Sequence, residues 1–179
     1  FTHLFFNMFA LWMFGKILEN VWGAKRFLIY YMITALGAAA LHLGVSQYEI
    51  MSLQSQINPS DLNILLENGR NVLEGNQNYT NALMGKLNLL INTPTVGASG
   101  AVFGILLAFG MLFPNTLLYI YFAIPIKAKY FVMIYGALEL YLGLSNNPAD
   151  NVAHFAHLGG MLFGFILLKY WQKDRNTFY

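Results

Sequence analysis

The sequence predicts an all-α fold: a polytopic bundle of transmembrane helices. Three observations carry that prediction. The chain is 57% hydrophobic and 10% charged, against about 45 to 50% apolar and about 25% charged for soluble domains. Its mean hydropathy is +0.49. The apolar residues fall in runs near span length, and the 179 residues hold about five of them at roughly 20 residues each. The net charge of +2 is small and dispersed, which excludes nucleic acid as a partner. The chain has no cysteine, which removes disulfides, a thiol nucleophile and thiolate metal sites but does not identify the compartment. It opens at Phe1, inside an apolar run with no charged leader, so no signal peptide is read and residues upstream are expected.

The first span is 1 to about 18, apolar except for His3, Asn7 and Lys16. A short polar turn with Glu19, Asn20, Gly23, Lys25 and Arg26 leads to a second span from Phe27 to about Ser46, which carries the small residues Gly37, Ala38, Ala39 and Ala40. From Gln47 to about Thr95 the composition turns rich in Asn and Gln. Leu62, Leu65, Leu66 and Leu73, then Leu83, Leu87 and Leu90, recur there at helical spacing, and Pro59-Ser60-Asp61 is a helix start signal. Two short amphipathic helices resting on the membrane surface are expected. Asn78-Tyr79-Thr80 matches a glycosylation sequon by pattern alone.

The third span runs from Gly97 to Phe113 and stops at Pro114-Asn115. Such a helix reaches only about 25 Å, short of the roughly 30 Å hydrocarbon core, so one end should be recessed. The apolar run 117 to 126 is too short to span, carries Pro125, and is expected at the interface before Lys127 and Lys129. The fourth span is about Tyr130 to Leu144. A turn from Ser145 to Asn151 precedes the fifth, about Val152 to Trp171. The whole, 1 to 179, reads as one membrane domain with 47 to 95 as an outer-side insertion.

Orientation follows from the basic residues. Lys16, Lys25, Arg26, Lys127, Lys129, Lys169, Lys173 and Arg175 share the exit side of the odd-numbered spans, against Arg70 and Lys86 opposite. That side is cytoplasmic by the positive-inside rule. Ser99, His3, Asn7 and His157 then all start helices from the outer side.

Gly97-Ala98-Ser99-Gly100 heads an apolar helix, and Gly97 is expected with Gly100, Gly104, Gly160 and Gly164 to allow close helix packing. A serine there is by itself a packing residue, and the motif is not the soluble hydrolase elbow, because Ala101 stands where that elbow has its second glycine. His157 changes the reading. With Gly160 and Gly164 it shares one helix face, and the stripes Gly160-x-x-x-Gly164 and Gly100-x-x-x-Gly104 would let the third and fifth spans approach closely. Ser99 and His157 then sit at similar depth, within plausible hydrogen-bond reach. His154, on nearly the same face one turn outward, competes as base, substrate contact or interfacial residue. His154 and His157 lack the spacing and glutamate of the zinc helix motif, so no metal is expected. His3 and Asn7 lie at i, i+4 on the first span, either as a bundle contact or as an oxyanion site. His42 is read as solvated. Glu139, the acid inside a span, has no assigned partner and is read as a structural hydrogen-bonding group.

These residues resemble the rhomboid intramembrane serine proteases. The match comprises His3-x-x-x-Asn7, then Gly15-x-x-x-Glu19-x-x-x-Gly23-x-x-Arg26-Phe-Leu-x-Tyr30, then Gly97-Ala-Ser-Gly100, Pro125-Ile-Lys-Ala-Lys129 and Ala156-His-Leu-Gly-Gly160. Their order and spacing are specific, and they cover nearly all of the chain outside 47 to 95. The resemblance implies a rhomboid-like bundle whose first family span has no counterpart among the five visible here. It implies Ser99 as nucleophile and His157 as general base, in a dyad with no orienting carboxylate. It further implies that His3 and Asn7, with the Ser99 backbone N–H, hold the oxyanion. Phe103 stands where many members have a tyrosine packed on the histidine, and with His154 it is a candidate substrate contact.

The expected activity is serine-type endopeptidase cleavage in or near transmembrane segments of membrane-protein substrates, with no metal or cofactor. The expected setting is an integral membrane protein of the bacterial cytoplasmic membrane whose site opens outward. Its partners would be substrate helices and the lipid bilayer; the oligomeric state is not legible. One alternative is a non-catalytic rhomboid-like binder of membrane helices, which would not be labelled by a fluorophosphonate. Another is a transporter or channel, for which polar groups near the midplane would form the pathway.

Overall fold

The structure, a computed structural model, describes residues 1–93, 97–120, 123–145 and 152–173. The rest of the expected turn after Ser145, together with Thr95 and Arg175, lies outside the described residues. The chain forms two compact units, Phe1–His42 with Gly97–Tyr179, and Leu43–Val96.

In the first unit the opening apolar run is helical throughout: α1 (Thr2–Ala10), a π-helical segment (Leu11–Gly15) and α2 (Lys16–Trp22). Gly23, at φ +78°, ends it, with its N–H on the Glu19 carbonyl at 2.7 Å. α3 (Ala24–Gln54) contributes to both units and is long and apolar enough to cross a membrane. It continues eight residues beyond the expected end near Ser46. Gln47, Tyr48, Glu49, Ile50 and Met51 are polar in part but all tolerated in helices, and no Gly or Pro interrupts them, so the drop in hydropathy does not stop the backbone.

α6 (Ser99–Leu112) is the centre of the first unit. Eleven of its 14 residues are buried, as suits a helix apolar all round. At 14 residues it spans only about 21 Å, shorter than the hydrocarbon core of about 30 Å. Phe14, Leu18, Tyr30, Ile105, Phe109, Ala128 and Leu168 close a core around it. Large apolar side chains such as Phe5, Trp12, Leu36, Met133 and Leu162 remain exposed on the outer helices. That pattern would be a liability in water and is a lipid-facing surface in a bilayer.

The segment after α6 differs from the expected interfacial run. Leu117–Ile120 (β1) and Ile124–Lys127 (β2) pair antiparallel, with Leu118 opposite Ile126 and Tyr119 opposite Pro125. Short runs of β-branched and aromatic residues favour a pleated strand, and a two-stranded ribbon tolerates proline because its outer edge needs no N–H. α7 (Ala128–Ser145) follows at once, and α8 (His154–Lys173) packs along α6 and α7.

The second unit contains the end of α3 with α4 (Pro59–Glu74) and α5 (Ala82–Asn92). Asn81 caps α5 by accepting from the Leu83 and Met84 N–H groups. Leu53, Leu65, Met84 and Leu87 bury one another, so part of the apolar faces expected to lie on a membrane surface is spent on an internal core. The Asn88 amide donates to the Gly69 carbonyl at 3.0 Å and to Asn78 Oδ1 at 3.1 Å. Asn78 Nδ2 in turn donates to the Gly85 carbonyl. The sequon amide is thus already engaged in the folded unit.

Candidate active site

The placement of Ser99 and His157 begins with glycine. A Cβ on Gly160 would overlap the Gly100 carbonyl oxygen, and one on Gly104 would meet the Gly160 carbonyl at 3.0 Å and Thr34 Cγ2 at 2.6 Å. One on Gly100 would meet the Ala156 carbonyl at 2.9 Å, and one on Gly164 would overlap the Tyr30 hydroxyl. α6 and α8 therefore touch backbone to backbone, with α3 closing the third side. Ser99 precedes Gly100 and His157 follows Ala156, so each flanks a residue in that contact.

The His157 ring stacks on Phe103, one turn along α6 from Ser99, with centroids 4.0 Å apart and planes 6° from parallel. Ser99 and His157 are both buried, and so is His154. The His154 ring stands perpendicular to that of His157 at 6.4 Å. Of the two histidines, His157 is the one stacked on the α6 face that carries Ser99.

Gly97 adopts φ +154°, a conformation essentially reserved for glycine. A Cβ there would lie 2.9 Å from Ser99 Oγ and 3.4 Å from His3 Nε2. The serine hydroxyl and the His3 ring thus converge on the space that Gly97 leaves open. Ser99 opens α6, so its N–H is one of the four without an intrahelical partner. Asn7 is buried, and its Nδ2 donates to the His3 carbonyl at 2.9 Å. In this arrangement Asn7 holds the His3 backbone.

Glu139 on α7 has partners that its own sequence context does not identify. Its Oε2 lies at hydrogen-bond distance from both His157 Nδ1, at 2.8 Å, and His154 Nδ1, at 2.6 Å, and all three side chains are buried. Here the structure corrects the expectation of a histidine with no carboxylate behind it. The signal was in the spacing: His154 and His157, at i, i+3, present two ring nitrogens to one side, where a single acid on a neighbouring helix can serve both. Their ligand atoms lie within 4.8 Å of one another. The two N–O separations are hydrogen-bond lengths, shorter than the roughly 3.3 Å between donors on a tetrahedral ion with bonds of about 2.0 to 2.1 Å.

The family model of the rhomboid domain matches residues 1–172. The chain is 26% identical to Rhomboid protein 1, mitochondrial, of Saccharomyces cerevisiae over 98% of its own length and 41% of that protein. It is 36% identical to an uncharacterized mitochondrial rhomboid protein of Schizosaccharomyces pombe over 45% of its own length and 22% of that one. The chain thus spans less than half the length of the curated relatives it matches. Both carry a mitochondrial designation, so they lend no support to a bacterial cytoplasmic membrane. No solved structure gives a significant match. With a helical bundle built around α6 and a family match that runs from the first residue into the last helix, this chain belongs to the rhomboid family of integral membrane proteins.

Proposed function

We propose that the protein is an intramembrane serine endopeptidase in which Ser99 is the nucleophile and His157 the general base. His157 Nε2 takes the Ser99 hydroxyl proton as Oγ attacks the scissile carbonyl. The resulting oxyanion is held by the Ser99 N–H and His3 Nε2–H, with Asn7 fixing the His3 backbone or turning its amide inward to donate as well. His157 then gives its proton to the leaving amine, and water delivered by the same base releases the acyl group. Substrates would be transmembrane segments that unwind near their outer ends, because α6 is too short to carry Ser99 to the bilayer surface. The basic residues orient the site outward in either a bacterial cytoplasmic or a mitochondrial membrane, with residues 47 to 95 forming an outer-side insertion.

The observation that carries this reading is the stacking of His157 on Phe103, one turn from Ser99. The test is cleavage of a transmembrane substrate in proteoliposomes by Ser99→Ala and, separately, His157→Ala. Each is expected to lose at least about 10³-fold, and smaller losses would sink the assignment. Labelling of Ser99 by a fluorophosphonate separates a protease from a helix-binding relative. Solute flux without cleavage would favour a transporter.

A further inference from the structure

Glu139 sits 5% exposed on α7 with one oxygen shared between two histidines of α8. We propose that Glu139 is a positioning residue for the base: its carboxylate fixes the His157 ring as the Nδ1–H tautomer, and His154 locks that carboxylate in place. For catalysis this rests on the Ser99 and His157 reading; for the tautomer it does not.

An ionised carboxylate only accepts hydrogen bonds. With Glu139 ionised, the two Nδ1 atoms at 2.6 and 2.8 Å from its Oε2 both carry protons. A neutral imidazole protonated at Nδ1 has a bare Nε2, the form a general base needs. The opposite tautomer would present Nε2–H toward the nucleophile and could not take its proton. The carboxylate also favours the imidazolium formed once that proton has moved, because the charge then faces a buried counter-charge rather than lipid.

His154 has a separate part. A single hydrogen bond would leave the Glu139 side chain free to rotate about its own torsions. The second N–H on Oε2 comes from one turn earlier on α8 and pins the carboxylate from another direction, since the two rings stand at 90°. His154 acts through Glu139. Phe103 restrains the remaining freedom of His157 by covering its face.

The experiment uses the full chain in detergent micelles, with fluorophosphonate labelling rates, cleavage of a transmembrane substrate and ¹⁵N spectra of the histidine rings. Glu139→Gln is expected to lose about 10²- to 10⁴-fold in labelling rate, the scale seen when a catalytic histidine is left in the wrong tautomer. In substrate cleavage that loss should fall on kcat and leave KM within about threefold. Glu139→Asp, which keeps the charge at shorter reach, should recover at least about tenfold of it, and His154→Asn should lose about tenfold. In the wild type both histidines should show protonated Nδ1 and His157 a bare Nε2, and Glu139→Gln should shift His157 toward Nε2–H. The proposal is overturned if Glu139→Gln labels within threefold of wild type, or if wild-type His157 is Nε2–H. If Glu139→Gln does not fold, the wild-type spectrum decides alone. Wild-type protein that never labels defeats the serine–histidine reading, and the tautomer spectrum still supports or overturns the placement of His157 by Glu139.

Discussion

The imidazole of His157 lies flat on the ring of Phe103, 4.0 Å centre to centre. The stack aligns the proposed base with the α6 face that bears Ser99. Phe103→Leu fills most of the same volume but cannot stack. Aromatic pairs contribute about 0.5 to 1.5 kcal/mol beyond burial, so cleavage should fall by up to about tenfold with the fold retained. Phe103→Tyr should stay within about threefold of wild type. Steady-state rates on one transmembrane substrate check both, and a Leu variant at full activity would show that the stack does not position the base.

His3 and Asn7 are expected to act as one unit, because the Asn7 amide holds the His3 carbonyl at 2.9 Å. Loss of an oxyanion donor costs about 10²- to 10³-fold. Each alanine variant should approach that loss, and the double variant should be little worse than the poorer single one. Multiplicative losses in kcat/KM would show instead that the two act independently.

The glycines give a contrast in stability. A Cβ on Gly160 overlaps the Gly100 carbonyl, whereas one on Gly44 in α3 meets nothing within 4 Å. Gly160→Val should destabilise by about 3 kcal/mol or more, the upper end of overpacking costs. Gly44→Ala should be neutral or stabilising by up to about 1 kcal/mol from helix propensity. Reversible unfolding in mixed micelles measures both.

Tyr30 is fully buried, and its hydroxyl donates to the Gly104 carbonyl at 2.8 Å, bridging α3 to the helix that carries Ser99. Tyr30→Phe should cost about 0.5 to 1.5 kcal/mol of stability. The same unfolding measurement detects it. No change would mean that the bond does not contribute to stability in the micelle.

The bundle was legible because membrane helices follow from hydropathy, with few alternatives for satisfying the backbone. What the sequence missed has physical reasons. The end of α3 is set by helix propensity, which continues through Gln47 to Gln54 after hydropathy has fallen. The ribbon at Leu117–Ile120 and Ile124–Lys127 is a short apolar run of ambiguous period. Glu139 was visible as an acid inside a span, yet which helix it faced depended on the rotation of α7 about its own axis. That rotation is fixed by packing between helices, which no periodicity within α7 records. The spacing of His3 and Asn7 puts both on one face of α1, whereas the bond from the Asn7 amide to the His3 carbonyl is visible only in three dimensions.

Gly97 adds a consequence of a different kind. The space beside Ser99 Oγ and His3 Nε2 is one carbon wide, and it exists because residue 97 has no side chain and adopts φ +154°. Gly97, expected to pack helices closely, instead precedes α6 and faces Ser99 and His3, with no part in the contacts made by Gly100, Gly104, Gly160 and Gly164. If Ser99 and His3 act as proposed, silencing the chemistry and dismantling the scaffold are separable events in this chain. On the proposed mechanism, one methyl group at position 97 would crowd the Ser99 hydroxyl and the His3 ring without entering the seam between α6 and α8, a short mutational path from protease to pseudoprotease.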